Sequence, residues 1–151
     1  MNDKTTAPAT RIVVGVDCSE GSKAALTWAM NQAHLTTATV EAITVLEPPN
    51  MYGYSYGLAP VPFEGDSIAT IMAKTLDDLI AEVSAQVKQP VTVTPRVIEG
   101  HPTQVLIEAA TGAQLLVVGS RGHSAFAGIL LGSVSQHCVQ HAPCPVAVIP
   151  R

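Results

Sequence analysis

The sequence predicts an α/β domain: a three-layer, doubly wound sheet of five parallel strands in the order 3-2-1-4-5. Three observations carry that expectation. Short runs of branched apolar residues recur five times, and helical patterns separate them. Aromatic residues make up only 4% of a chain that is 47% hydrophobic and 13% charged. Val, Ile, Leu and Ala must therefore fill the core, as suits strands covered by helices on both faces. The alternation reads βαβαβαβαβ, and right-handed crossovers fold that order into an open parallel sheet. Strands one and four then flank the switch point, where such sheets bind ligands beyond their carboxyl ends.

The elements follow in order. Met1 to Thr10 is polar, reads as a disordered tail and lacks the apolar stretch of a secretory signal. Residues 11–151 make one domain, the size expected of 151 residues. Ile12 to Asp17 is the first strand and ends on a carboxylate. The other strands are expected at Val40 to Leu46, Val91 to Ile98, Leu115 to Gly119 and Val146 to Ile149. Ser22 to His34 is a helix with Ala25, Leu26, Ala29 and Ala33 on one face. Ile68, Ile71, Met72, Leu76, Leu79, Ile80, Val83 and Val87 keep helical spacing, the clearest amphipathic signal present. His101 to Thr111 carries Val105, Leu106, Ala109 and Ala110 and is stopped by Gly112. A last helix runs from about Gly132 to His141, ahead of Pro143 and Pro145.

Composition excludes several partners. A formal charge of −4 is not the basic field of a nucleic-acid binder. No apolar run approaches the ~20 residues that cross a bilayer, so neither membrane nor nucleic acid is an expected partner and the cytoplasm is the expected location. Cys18, Cys138 and Cys144 are odd in number and scattered, as buried thiols in a reducing compartment would be.

Two connections are long. Residues 47–65 lack periodicity and hold Tyr52, Tyr54 and Tyr56, which reads either as a cover over a bound base or as a mobile loop. The second, Ser120 to Leu131, follows strand four at the switch point. Residues 119–133 place two residues between Gly119 and Gly122 and nine between Gly122 and Gly132-Ser133. Glycines let amide N–H groups approach a ligand, and a helix opening at Gly132-Ser133 offers free N–H groups and a dipole to a phosphate. Ser133 and Ser135 add hydroxyls, and Arg121 or His123 adds positive charge. The plainer reading is an ordinary strand-to-helix turn. No Gly-Lys-Ser/Thr marks a Walker loop, and strand one does not lead into Gly-x-Gly-x-x-Gly.

Gly119-x2-Gly122-x9-Gly132-Ser133 resembles, without a gap, the nucleotide motif of ATP-binding universal stress proteins. Similar stretches are Ile12-Val-Val-Gly-Val-Asp-Cys-Ser19, Gly100-His-Pro102, Leu115 to Gly122, Leu130 to Ser135 and Pro143 to Ile149. The resemblance covers Arg11 to Pro150 and is weakest from Pro48 to Asp66. It implies a Rossmann-like sheet of the adenine nucleotide alpha hydrolase type and a homodimer built through the last strand. It also implies site roles. Asp17 would meet the ribose, main chain at Val45 would read the adenine, and Val118 and Gly119 would line the ribose side. Arg121, Gly122, Gly132, Ser133, Val134 and Ser135 would cradle phosphates.

Other constellations read more plainly. A receiver domain needs further acidic residues and a late Lys that this chain lacks, leaving Asp17 a ligand contact or a capping residue. His137, Cys138, His141 and Cys144 are zinc-ligand types, but Cys138 shares the apolar stripe of Val134 and Cys144 sits between prolines. Ser19 lies in no Gly-x-Ser-x-Gly elbow. Trp28 and Phe126 are expected to pack. The function this supports is binding or sensing of ATP or a related adenine nucleotide, magnesium being an option, in a stress response with at most slow hydrolysis. Cyclic AMP binding, an ATPase or phosphotransfer enzyme using Asp17 and a metal, and a nucleotide-free dimeric scaffold are the alternatives.

Overall fold

The computed structural model describes residues 10–48, 67–121 and 131–150. The described elements are β1 (Arg11–Gly15), α1 (Glu20–Thr36), β2 (Thr39–Leu46), α2 (Ile68–Gln86), β3 (Val93–Glu99), α3 (Pro102–Ala109), β4 (Leu115–Gly119), α4 (Ser133–His141) and β5 (Val146–Ile149). All strand pairs are parallel and the order is β3-β2-β1-β4-β5, as the sequence predicts. No described helix is long and apolar enough to cross a membrane.

Alternation along the strands divides the core into two layers. Ile12, Val14, Val40, Ala42 and Val117 face α1 and α2, meeting Leu26, Met30, Leu76 and Val83. Val13, Ile43, Leu116 and Val118 face α3 and α4, meeting Val105, Leu106 and Cys138. β1 is buried at its three central positions, because it lies mid-sheet with a layer on each face.

Helix ends follow local chemistry. Ser19 caps α1 by accepting from Ser22 N at 3.2 Å, and Ser67 caps α2 by accepting from Thr70 N. Pro102 opens α3, where a missing N–H costs nothing. These signals move several boundaries. The cap at Ser19 starts α1 two residues before Ser22, whereas His101 is itself the cap of α3 and Gly132 that of α4. β1 stops at Gly15 rather than Asp17, although Val16 N–H still donates to Ile43 O at 2.8 Å. β3 begins at Val93 rather than Val91.

Three packing expectations fail. In α2 only Leu76, Leu79 and Val83 are buried, while Ile68 and Ile71 are 58% and 46% exposed. Helical spacing assigns residues to one face without fixing how much of the helix length the sheet covers. Trp28 is 37% exposed. Cys18 is exposed, with φ +63° in the turn between β1 and α1, whereas Cys138 is buried and Cys144 half-buried.

One close approach fixes the carboxyl end of the sheet. A Cβ on Gly119 would lie 2.9 Å and 3.0 Å from the carbonyl carbon and oxygen of Gly21, and 3.3 Å from Ser22 N. A Cβ on Gly21 would lie 2.8 Å from Arg121 O. Gly15 is different, because its nearest obstacle is the Leu106 side chain, which can turn away. Gly119→Ala should therefore destabilise the protein by about 1–3 kcal/mol, the range for overpacking against groups that cannot yield. Gly15→Ala should cost less. Urea unfolding with unchanged m-values tests the order, and equal midpoints for the two variants would contradict it.

Candidate functional site

The site is built where β1 and β4 lie side by side and their following helices leave to opposite faces, α1 to one and α4 to the other. Such a divergence leaves a crevice at the carboxyl ends. Four chain segments border it.

The first is the turn from β1 into α1. Asp17 Oδ1 accepts from Ser19 N at 3.0 Å and from the Ser19 hydroxyl, while Asp17 N donates to Ser22 Oγ at 3.3 Å. Ser22 Oγ donates in turn to Ser19 O at 3.0 Å. The exposed Asp17 is thus held by two buried serines, its side chain by Ser19 and its main chain by Ser22. A carboxylate offers about four lone-pair sites and can accept from several donors at once.

The second is the end of β2. Val16 N bonds Ile43 O, and Gly100 N bonds Leu46 O at 2.9 Å from the β3 side. Main-chain groups alternate sides along a strand, so those of Val45 point as Ile43 does, toward β1, at a level where β1 has left the sheet. Beside it Thr44 is buried, and its Oγ1 has no hydrogen-bond partner among the described residues.

The third and fourth are the exit from β4 and the start of α4. Ser120 N donates to Ile149 O at 2.9 Å, and Gly132 N donates to Ser120 O at 2.7 Å. The connection therefore leaves and rejoins the fold at one point. Half-buried Arg121 follows, with its Nε buried and without a partner among the described residues. α4 has no side-chain cap among the described residues. Its first intrahelical bond to the cap residue is Gln136 N to Gly132 O, at 3.0 Å. The N–H groups of Ser133, Val134 and Ser135 come before it and constitute the positive end of the helix dipole.

The structure thus gathers Asp17, Val45, Val118, Gly119, Arg121, Gly132, Ser133, Val134 and Ser135 at one end of the sheet. Gly122 lies outside the described residues, as do His123, Phe126 and the three tyrosines. Val118 is buried among Val13 and Leu116, so what it presents at the crevice is main chain. The Ser135 hydroxyl does not point outward: it donates to Gly132 O at 2.9 Å and to Ser120 O at 3.2 Å, and the residue is 2% exposed. Among the described residues, no three or more His, Cys, Asp or Glu side chains are grouped to hold a metal. His137 and His141 lie ring to ring on the outside of α4 at 6.1 Å, while Cys138 is buried beneath it.

Sequence patterns do not single out Gly21, Ser22, Thr44 or Ser120, and they offer Ser19 only as a nucleophile. A signal for two of them was available. Ser19 directly precedes Glu20, a capping position, and a glycine in the first turn of a helix costs stability unless something must approach it.

A model of the universal stress protein family matches residues 8–150. The chain belongs to that family. A universal stress protein of Mycobacterium tuberculosis is 31% identical over 144 residues, covering 91% of this chain and 47% of the relative. Another from the same organism is 30% identical over 151 residues, with 93% and 48% covered. The chain spans about half the length of these curated relatives. Among solved structures, a universal stress protein in complex with cAMP matches with TM-score 0.65 and 26% identity over 93% of this chain and 95% of that one. One from Archaeoglobus fulgidus in complex with dAMP matches with TM-score 0.67 at 21% identity, over 93% and 97%, a likeness that shows the fold.

Two thiols report on opposite ends of this arrangement. Partial burial, and secondarily the Asp17 charge, raise the pKa of Cys18 above its ordinary value. Burial pushes Cys138 up to about 11. Because the thiolate is the nucleophile, alkylation of Cys18 should rise at higher pH than for an unperturbed cysteine. Asp17→Asn should move that profile to lower pH, and Cys138 should react only on unfolding. Mass-spectrometric alkylation profiles check this; overlapping wild-type and Asp17→Asn curves would disconnect the two groups.

Proposed function

We propose that this chain binds an adenine nucleotide across the ends of β1, β2 and β4 and acts as a cytoplasmic binding or sensing module in a stress response. The observation that carries the reading is the start of α4. Three main-chain N–H groups with no side-chain cap open at the switch point, beside Arg121, where a phosphate would complete both the hydrogen bonding and the dipole. Two further features support it. Thr44 Oγ1 and Arg121 Nε are the buried side-chain polar atoms without partners among the described residues, and both lie at this end of the sheet. Buried polar groups are seldom left unpaired. The matched motif and the cAMP-bound relative at 26% identity add the nucleotide class.

In this reading Asp17 accepts from a ribose hydroxyl and the Val45 main chain meets the adenine edge. Val118 and Gly119 run along the sugar. Arg121, Gly122, Gly132, Ser133, Val134 and Ser135 surround the phosphates, Ser135 through its N–H. ATP is the proposed ligand, and a magnesium ion would rest mainly on phosphate oxygens, as it commonly does. Cyclic AMP is the second reading, favoured by the cAMP-bound relative. Hydrolysis is expected to be slow at most, because no described residue of the site is identified as a base for an attacking water.

A homodimer through β5 belongs to the same proposal. The outer edge of β3 carries Pro95, whose missing N–H falls on the unpaired side, next to exposed Arg96. Both features discourage pairing. β5 has no such protection. Pro145 O and Ile149 O bond to β4, so alternation turns the main chain of Val146 and Val148 outward, and all four side chains of the strand are half-buried. Pro145 and Pro150 limit the pairing segment, which suits a closed two-fold contact.

Calorimetry with ATP, cyclic AMP and adenosine tests the site. Gly132→Val should weaken ATP binding at least about tenfold, or about 1.4 kcal/mol, and Asp17→Ala should weaken ATP and adenosine alike. Wild-type ATP affinity in folded Gly132→Val would remove α4 from the site. For the assembly, Val148→Lys should shift light scattering from dimer toward monomer with nucleotide binding retained. A wild-type monomer at tens of micromolar would rule the dimer out.

A further inference from the structure

We propose that Ser135 is a positioning residue, a latch that holds the start of α4 against the end of β4 whether or not ligand is present. The inference rests on the nucleotide reading only for its consequence; the latch itself is a property of the free protein. A serine hydroxyl has one proton to give. Here it is shared between Gly132 O at 2.9 Å and Ser120 O at 3.2 Å. With the residue 2% exposed, rotation toward a ligand would strip this proton from two carbonyls and expose nothing in return.

Ser120 O is the centre of the arrangement. It accepts from Gly132 N at 2.7 Å as well as from Ser135, while Ser120 N is tied to Ile149 O at 2.9 Å. Both ends of the connection are therefore fastened to one carbonyl, itself anchored on the β4–β5 ladder. The bond to Gly132 O is the back-bond that Ser and Thr make within a helix turn. The bond to Ser120 O is a tertiary contact reaching outside that turn. The latch aims the N–H groups of Ser133, Val134 and Ser135 at the crevice before any anion arrives. Preorganised donors need not be ordered at the moment of binding. The hydroxyl contact to a phosphate then falls to exposed Ser133 at the first helical position.

Amide hydrogen exchange on nucleotide-free protein tests this, with the buried β4 amide of Val117 as the reference for global opening. Ser135→Ala should speed exchange at Gly132 N–H at least about fivefold relative to that reference, as loss of one supporting hydrogen bond would. Ser135→Thr, which keeps the hydroxyl, should restore it. Ser133→Ala should leave Gly132 exchange unchanged. If Ser135→Ala leaves the free protein's Gly132 exchange at the wild-type rate, the latch is wrong and Ser135 acts elsewhere. ATP calorimetry on the same proteins separates the two proposals. Absence of binding to wild type would defeat the nucleotide reading, while the exchange result would still decide the latch.

Discussion

The carboxyl end of this fold depends on a contact between two backbones. Gly21, in the first turn of α1, lies directly on Gly119, the last residue of β4, with no room for a Cβ between them. That approach brings the start of α1 over the fourth strand as well as the first. It also seats Arg121 O against Gly21, so the chain leaving β4 is steered along the helix start. Asp17 and Arg121 belong to different βα units, and this contact is what brings their two turns together.

The helices that begin at this end are treated unequally. α1 and α2 satisfy their own first turns with Ser19 and Ser67. α1 further places Glu20 at its positive end, a favourable position for a carboxylate. α4 opens instead on a glycine without a side-chain acceptor. Its positive end, like that of α3, is thus left without a side-chain cap by local sequence, and it lies beside the crevice that the strand order creates. In the proposed reading a protein of net charge −4 would attract an anion at one point without a basic surface, through aligned main-chain dipoles and one arginine.

The polar bonding at the site also serves rigidity. Asp17, Ser19 and Ser22 form one knot at the end of β1, and Ser120, Gly132 and Ser135 form another at the end of β4. Each ties a helix start to the strand end beside it. Such knots cost little in stability when every member is satisfied, and they hold donors in place more firmly than a loop alone could. The far edges of the sheet are treated differently again. Pro95 and Arg96 blunt β3, while β5 presents the main chain of Val146 and Val148 outward.

Several features were determined by sequence alone. Five branched-residue runs separated by helical patterns were sufficient for the sheet and its order, because right-handed crossovers leave few ways to pack them. The glycine spacing from Gly119 to Gly132 and the position of Asp17 point to the end of the sheet where the candidate site is proposed. Local order is what these signals encode, and strand-to-helix connections are local. Which atoms meet across units depended on packing instead. Periodicity put Ile68 and Ile71 on the same stripe as Leu76, but the reach of the sheet left them exposed. Composition suggested that Cys18 was buried, but the turn between β1 and α1 turned it to solvent. Residue type made Ser135 a phosphate donor, whereas its hydroxyl is committed to two carbonyls, one of them fifteen residues earlier in the chain. Gly21 gave no motif at all, since its role is to leave room for a residue of β4 that is distant in sequence. Side-chain chemistry is written along the chain, but the partner that consumes it is set only when the strands are laid side by side.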